Sequence, residues 1–177
     1  VTMPRSIGNI GTVIRYNISR NDRARTFHIS GPVQDTLIHN NVFYLGPELE
    51  VAVVKPGDWG GGWPENTRFV NNIFFYEGTG TFRFEGMTET VFRHNVFYGT
   101  FEGLPEGEGT LRRAPGFVDA RGGAATIDDL EGFRLRPDSP CLGAGVPLPD
   151  PGSRDFWGNP LPAGGVPPDI GAHQRSR

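Results

Sequence analysis

The stretch Thr36-Leu37-Ile38-His39-Asn40-Asn41-Val42-Phe43-Tyr44 is one of four variant copies, and this recurrence limits the folds open to the chain more than any other feature. The other copies are Thr12-Val13-Ile14-Arg15-Tyr16-Asn17-Ile18, Thr67-Arg68-Phe69-Val70-Asn71-Asn72-Ile73-Phe74-Phe75 and Thr90-Val91-Phe92-Arg93-His94-Asn95-Val96-Phe97-Tyr98. In every copy Thr stands five places before an anchor Asn, a β-branched or aromatic residue stands three before it, and Ile or Val follows. The anchors Asn17, Asn41, Asn72 and Asn95 are 24, 31 and 23 residues apart. A recurring unit of that length, filled with β-branched and aromatic residues, is the signature of stacked β units, one per repeat.

Ten residues beyond each of the first three anchors lies a second apolar stretch: Phe27-His28-Ile29, Val51-Ala52-Val53 and Phe82-Arg83-Phe84. Strands this short cannot bury themselves by hairpin pairing. If each coil lies on the one before, equivalent strands pair in parallel about 4.8 Å apart. The pattern therefore predicts an all-β fold, a right-handed parallel β-helix. The four asparagines should form an internal ladder, because Asn tolerates the left-handed region at a tight turn and its amide can bond to the same amide one coil away.

Composition agrees with a turn-rich β chain of one domain, with 26 glycines and 16 prolines in 177 residues. A net charge of −3 leaves no basic stripe to neutralise phosphates, which argues against a nucleic-acid partner. No run approaches the 18 apolar residues of a membrane span. Val1 to Gly11 lacks the basic start and apolar centre of a signal peptide. Cys141 is the only cysteine, so no internal disulfide forms, and Lys55 is the only lysine among sixteen arginines.

Alternation assigns faces. Ile14, Ile38, Phe69 and Phe92 should point inward and Arg15, His39, Val70 and Arg93 outward. Ile18, Val42, Ile73 and Val96 should point inward again after the turn. Of the rows Phe43/Phe74/Phe97 and Tyr44/Phe75/Tyr98, one is buried and the other half exposed. On the second strand, His28, Ala52 and Arg83 should form an outward row.

The 31-residue spacing marks an insertion, residues 54 to 66, that leaves the end of the Val51–Val53 strand. It carries Lys55, Asp58, Trp59 and Trp63. Loops on one rim are where solenoids place their sites. The two tryptophans suit a stacking surface for sugar rings or a lid folded back over the coil. Residues 1–99 thus read as the coils, and 100–177 as irregular last coils with an extended cap. No helical or polar cap precedes Thr12, so the first coil is expected to be covered by further upstream coils or by another subunit.

The order Pro115-Gly116-Phe117-Val118-Asp119-Ala120, Phe133-Arg134-Leu135-Arg136-Pro137-Asp138-Ser139-Pro140-Cys141, Arg154-Asp155-Phe156-Trp157-Gly158-Asn159-Pro160 and Asp169-Ile170-Gly171-Ala172-His173 resembles the C-terminal end of secreted bacterial right-handed parallel β-helix proteins of the pectate-lyase-like superfamily. The segment Ile14 to Asp22 also looks like one of their coil motifs. One departure is Gln174, where such tails end in an acidic residue. The resemblance implies an extracellular or periplasmic protein that acts on or binds a polysaccharide. The superfamily includes lyases, hydrolases, epimerases and noncatalytic binding proteins.

A polysaccharide lyase needs a base for the proton α to a uronate carboxylate and a cation for the charge that develops. Such lyases use Lys or Arg, often with calcium. The candidates here are Lys55, Arg83 and His28 for catalysis, and Arg25, Asp58, Trp59 and Trp63 for binding substrate. Calcium, or a hydrolase acid pair, would draw on Glu48, Glu50 and Asp58. Solvated charges on an outer face are the plainer alternative. His39 and His94 read as surface or turn residues rather than a metal pair, and Asp155 and Asp169 as caps of backbone groups in the tail.

Overall fold

The computed structural model describes residues 8–122 and 126–175. Ten strands follow in chain order: β1 (Val13–Arg15), β2 (Ile18–Arg20), β3 (Arg25–Ser30), β4 (Leu37–His39), β5 (Val42–Leu45), β6 (Glu50–Gly57), β7 (Arg68–Val70), β8 (Ile73–Phe82), β9 (Val91–Arg93) and β10 (Val96–Glu102). The protein is all-β; among the described residues the only helical turn is a 3-10 segment at Ile127–Phe133. One sheet runs β1-β4-β7-β9 and the other β2-β5-β8-β6-β3, with β10 also on β8.

Every paired strand is parallel, and the register joins equivalent positions of successive repeats. Ile14, Ile38, Phe69 and Phe92 form one row, and Phe43, Phe74 and Phe97 another. Isolated bridges Ile10–Gln34–Glu65–Thr88 add a third line of contact. In the third repeat one long strand, β8, spans the width that β5 and β6 cover in the second.

The strands before the anchor are three residues long because a left-handed residue ends each of them. That residue is Tyr16 (φ 51°), Asn40 (51°), Asn71 (57°) or His94 (50°), one place before the anchor. The left-handed position therefore falls on the anchor's neighbour, and the anchor amides are free to reach along the stack. Asn17 Nδ2 donates to Asn41 Oδ1 at 3.0 Å, Asn41 Nδ2 to Asn72 Oδ1 at 3.0 Å, and Asn72 Nδ2 to Asn95 Oδ1 at 3.0 Å. Asn41, Asn72 and Asn95 are fully buried.

Two cores result. The first lies between the sheets, where Phe69 stacks on Phe92 (4.6 Å) and Phe43, Phe74 and Phe97 stack in sequence (5.0 and 5.1 Å). Fully burying such a ring is worth about 1.5–3 kcal/mol. The second lies on the opposite face of the larger sheet. There Val42, Ile73, Val96 and Tyr44 meet Phe117, Phe133, Ile170 and Ala172 of the tail.

This corrects two assignments. Val42, Ile73 and Val96, expected inside, face outward, because the turn at the anchor restarts the alternation on the other parity. They are buried only because the tail covers them. His39 and Val70, expected to be exposed, are buried as well; Asn40 beside His39 donates through Nδ2 to the carbonyl of Asp169 in the tail.

Candidate functional site

The outward row of the second strand differs from expectation. β3 pairs with β6 so that Arg25 faces Ala52, Phe27 faces Val54 and His28 faces Lys55. β6 meets β8 with Ala52 opposite Thr81 and Val54 opposite Phe82, the register shifting in between. Val53 and Val54 are consequently both fully buried, and every later residue of β6 changes parity. Ala52 leaves the predicted row and joins Arg25 and Thr81. Lys55, assigned to the insertion, lies within β6 and takes the place beside His28. Arg83 N–H donates to the Val54 carbonyl, which sets Arg83 next to Lys55 on the other side. His28, Lys55, Arg83 and Arg25 are all exposed, and Arg25 Nη1 lies 3.2 Å from His28 Nδ1. The register thus gathers four of the predicted residues on one strip.

The insertion proper runs from Asp58 to Pro64 and contains a tight hairpin. Trp59 and Gly62 bridge in antiparallel fashion around Gly60 and Gly61, both with positive φ. Trp59 is 68% exposed and lies against Gly31, whereas Trp63 is 40% exposed and lies flat on Gly86. A Cβ on Gly86 would stand 2.2 Å from Trp63 Cδ2, so only glycine admits the ring there. The two rings point to the corners of the first and third repeats, and no contact between them is found. They form two separate faces, Trp59 against Gly31 and Trp63 laid over Gly86.

Among the described residues, no three His, Cys, Asp or Glu side chains come together in a way that could hold a metal ion. Glu48, Glu50 and Asp58 therefore do not form a cluster of that kind. His39 is buried, with Nδ1 3.0 Å from Asn40 Oδ1 and Nε2 without a partner. Burial holds its pKa below the ordinary imidazole value. His94 sits in its turn with Nδ1 2.9 Å from the Ala144 carbonyl.

The sequence reading missed a groove of about 700 Å³ at the far end of the same sheet. Phe75, Tyr98 and Phe101 give it aromatic walls, and Arg112 and Arg121 give it cations. Tyr98 is 41% exposed. At its side the β8–β10 register shifts between Gly99 and Thr100. Glu77 accepts from Tyr44 Oη at 2.6 Å and is paired with Arg121. The Arg121 guanidinium holds the Glu77 carboxyl below its usual range, and burial, then Glu77, pushes the Tyr44 hydroxyl up to about 12. The outward aromatic row was readable as a row. The two arginines were not, since they lie beyond the last repeat, where no register places them.

The groove lies along the last strand, where Phe75 and Tyr98 of the outward row meet Phe101 and Leu104 of the core between the sheets. The cation strip lies on the outward face of the same sheet, with Phe75 and Arg83 eight residues apart along β8 and its continuation. No protein-family model matches this chain, and no curated protein matches it.

Proposed function

We propose that the chain folds as a right-handed parallel β-helix of the pectate-lyase-like kind and binds an acidic polysaccharide outside the cell, along the outward face of its larger sheet. The observation that carries this reading is the register that lines up His28, Lys55 and Arg83 on neighbouring strands, all exposed, with Arg25 against His28. Cations repeating at one-strand steps suit a polymer carrying a carboxylate on each sugar, and Arg can take that carboxylate in two parallel hydrogen bonds. The exposed rings of Trp59 at one end and Tyr98 at the other suit the C–H faces of sugars. The eight-residue step along the strand from Phe75 to Arg83 covers roughly 26 Å at about 3.3 Å per residue, the length of several sugar units.

A lyase is the second reading. Its support is that the sole lysine lies between His28 and Arg83, a base candidate beside a cation that could hold the developing charge. Both readings are tested on a panel of acidic polysaccharides, with neutral ones as controls. Lys55→Ala and Arg83→Ala should each weaken binding of an acidic polymer about tenfold, close to 1.4 kcal/mol, with the loss shrinking at high salt. Variants that bind like the parent would remove the strip from consideration. Absorbance in the unsaturated-uronate band separates the readings: a signal lost in Lys55→Ala supports the lyase, and binding without any signal supports a noncatalytic module.

A further inference from the structure

We propose that the groove beside β10 is a binding site in its own right for a short acidic oligosaccharide, whose carboxylate is held by Arg112 and Arg121 and whose ring lies on Tyr98. The ligand class rests on the acidic-polysaccharide reading above. The site itself is built from residues other than those of the cation strip.

The register of β8 shows how the groove is made. Gly99 pairs with Tyr76 and Thr100 with Thr79, while on the other side Leu45 pairs with Tyr76 and Glu50 with Thr79. Glu77 and Gly78 therefore have no partner on either neighbour and bulge out of the strand, and a bulge re-aims side chains. The glycines around it admit nothing larger: a Cβ would stand 2.1 Å from the Leu49 carbonyl oxygen at Gly78 and 1.7 Å from that of Tyr76 at Gly99. The bulge aims Glu77 at two partners. Its Oε2 accepts from Tyr44 Oη at 2.6 Å, and its Oε1 accepts from Arg121 Nε at 2.7 Å.

Arg121 is fixed more firmly than its surroundings require. Its side chain is 78% exposed, yet its backbone N–H donates to Asp119 Oδ1, the carbonyl of the next residue accepts from Arg20 Nη1, and Glu77 takes its Nε and Nη2. An exposed ion pair adds little to stability. What this one does is hold a cation at the groove wall, with Nη1 unpartnered among the described residues. Arg112 is exposed and, among the described residues, has neither a hydrogen bond nor an ion pair. It also borders a second hollow with Glu106 and Glu108, of which Glu108 is bound to Arg93. Two arginines against Glu77 leave the groove lining with one net positive charge.

This arrangement defines the occupant. The guanidinium groups select an anion, and Arg takes a carboxylate in paired hydrogen bonds. Tyr98 is backed by Phe75 at 5.2 Å and offers an exposed ring to the C–H face of a sugar. After the Leu111 carbonyl takes Phe97 N–H, no backbone hydrogen bond joins Gly99–Glu102 to the tail among the described residues, so the strand edge is open to sugar hydroxyls. A volume of about 700 Å³ lies within the range of roughly 300–1,000 Å³ usual for ligand sites and is far more than a single ion fills.

Calorimetry with the disaccharides of galacturonate, glucuronate, mannuronate and guluronate tests the proposal, with their neutral counterparts and acetate as controls. At least one uronate disaccharide should bind, and its neutral counterpart and acetate should bind at least about tenfold more weakly. Arg112→Ala and Tyr98→Ala should each weaken that binding about tenfold, with a smaller effect from Arg83→Ala on the strip. Absence of binding by all four, equal binding of the neutral counterpart, or binding unchanged in both groove variants would overturn the proposal. A loss in Arg83→Ala with the groove variants unaffected places the disaccharide on the strip, which overturns the groove and leaves the polysaccharide reading standing. Disaccharide binding lost in the groove variants, beside polymer binding indifferent to Lys55→Ala and Arg83→Ala, supports the groove and removes the strip. Should Tyr98→Ala fail to fold, Tyr98→Leu and Arg112→Glu decide in its place.

Discussion

A primary amide is suited to the anchor position because it accepts through one atom and donates through the other in the same rung. Asn72 shows the full set: Oδ1 takes Asn41 N–H and Nδ2, and Nδ2 gives to Ile38 O and Asn95 Oδ1. Asn72→Ala leaves these buried groups unpaired and should cost about 1–3 kcal/mol, seen as a lower denaturation midpoint. The threonine five places earlier provides the contrast. Thr67 is fully buried and its Oγ1 has no hydrogen-bond partner, so Thr67→Val replaces an idle hydroxyl by a methyl of similar size. Its midpoint should equal or exceed the parent's; a loss comparable with Asn72→Ala would show that the hydroxyl is bonded in solution. The ladder was legible because Thr, Asn and Ile or Val keep one spacing through four copies. The left-handed residue was placed one step late, on the anchor itself: Asn40, Asn71 and His94 suit that conformation as well as an anchor Asn does, and Tyr16 breaks the pattern in the first copy.

At the scale of the strand, the sequence showed which stretches are extended and misjudged their register by one step. A period of two cannot reveal a bulge, and the run Val51-Ala52-Val53-Val54 reads equally well with or without one. The bulge is decisive for the site, since it moves Lys55 from a loop into the row between His28 and Arg83. β8 raises the related question of why one strand runs the whole width of the sheet. Its inner row carries Phe74 and Tyr76, then Gly80, then Phe82. A Cβ on Gly80 would stand 2.6 Å from Tyr76 Cδ2 and 2.8 Å from Val53 Cγ2. The Tyr76 ring thus occupies the space a side chain would need, with its hydroxyl 3.1 Å from Thr26 Oγ1. Gly80→Ala should overpack this point and lower stability by about 1–3 kcal/mol in urea unfolding, whereas Thr81→Ala on the outward side should change it little. Equal midpoints for the two variants would mean that Tyr76 can move aside at no cost.

For the whole molecule, the tail decides which parts of the coil stack meet water. It has no repeat to read, so the sequence revealed its turn residues and not the surface it covers. Asp155 gathers Trp157, Asn159 and Gln174 N–H groups, Asp169 takes Gly143 N–H, and Gln174 donates to the Asp169 carbonyl. The amide at 174 does by hydrogen bonding what an acidic side chain could not, because it both accepts from Asp169 N–H and donates. Two imidazoles lie in this seam. His39 is packed edge-on to Tyr16 at 5.7 Å, with Asn40, Arg15 and Asp150 about it. His173 accepts from Leu135 N–H through Nδ1 and faces Arg134, Glu131, Asp155 and Asp169. Burial, chiefly, lowers the pKa of both in the folded protein. Above the unfolded value near 6.5 both states are neutral and pH has no effect through these groups. As pH falls below it, the unfolded chain takes protons that the folded chain refuses, so stability declines, by up to about 1.4 kcal/mol per pH unit for His39. Glu77 and Glu131, whose pKa values are lowered by Arg121 and Arg134, stay ionised in both states down to about pH 5 and do not contribute in that window. The melting midpoint should therefore drop between pH 7.5 and 5.5, and the drop should be smaller in His39→Gln whatever that variant's stability at neutral pH. A slope unchanged by His39→Gln and by His173→Gln would mean that neither ring resists protonation, and that the seam between tail and stack admits water.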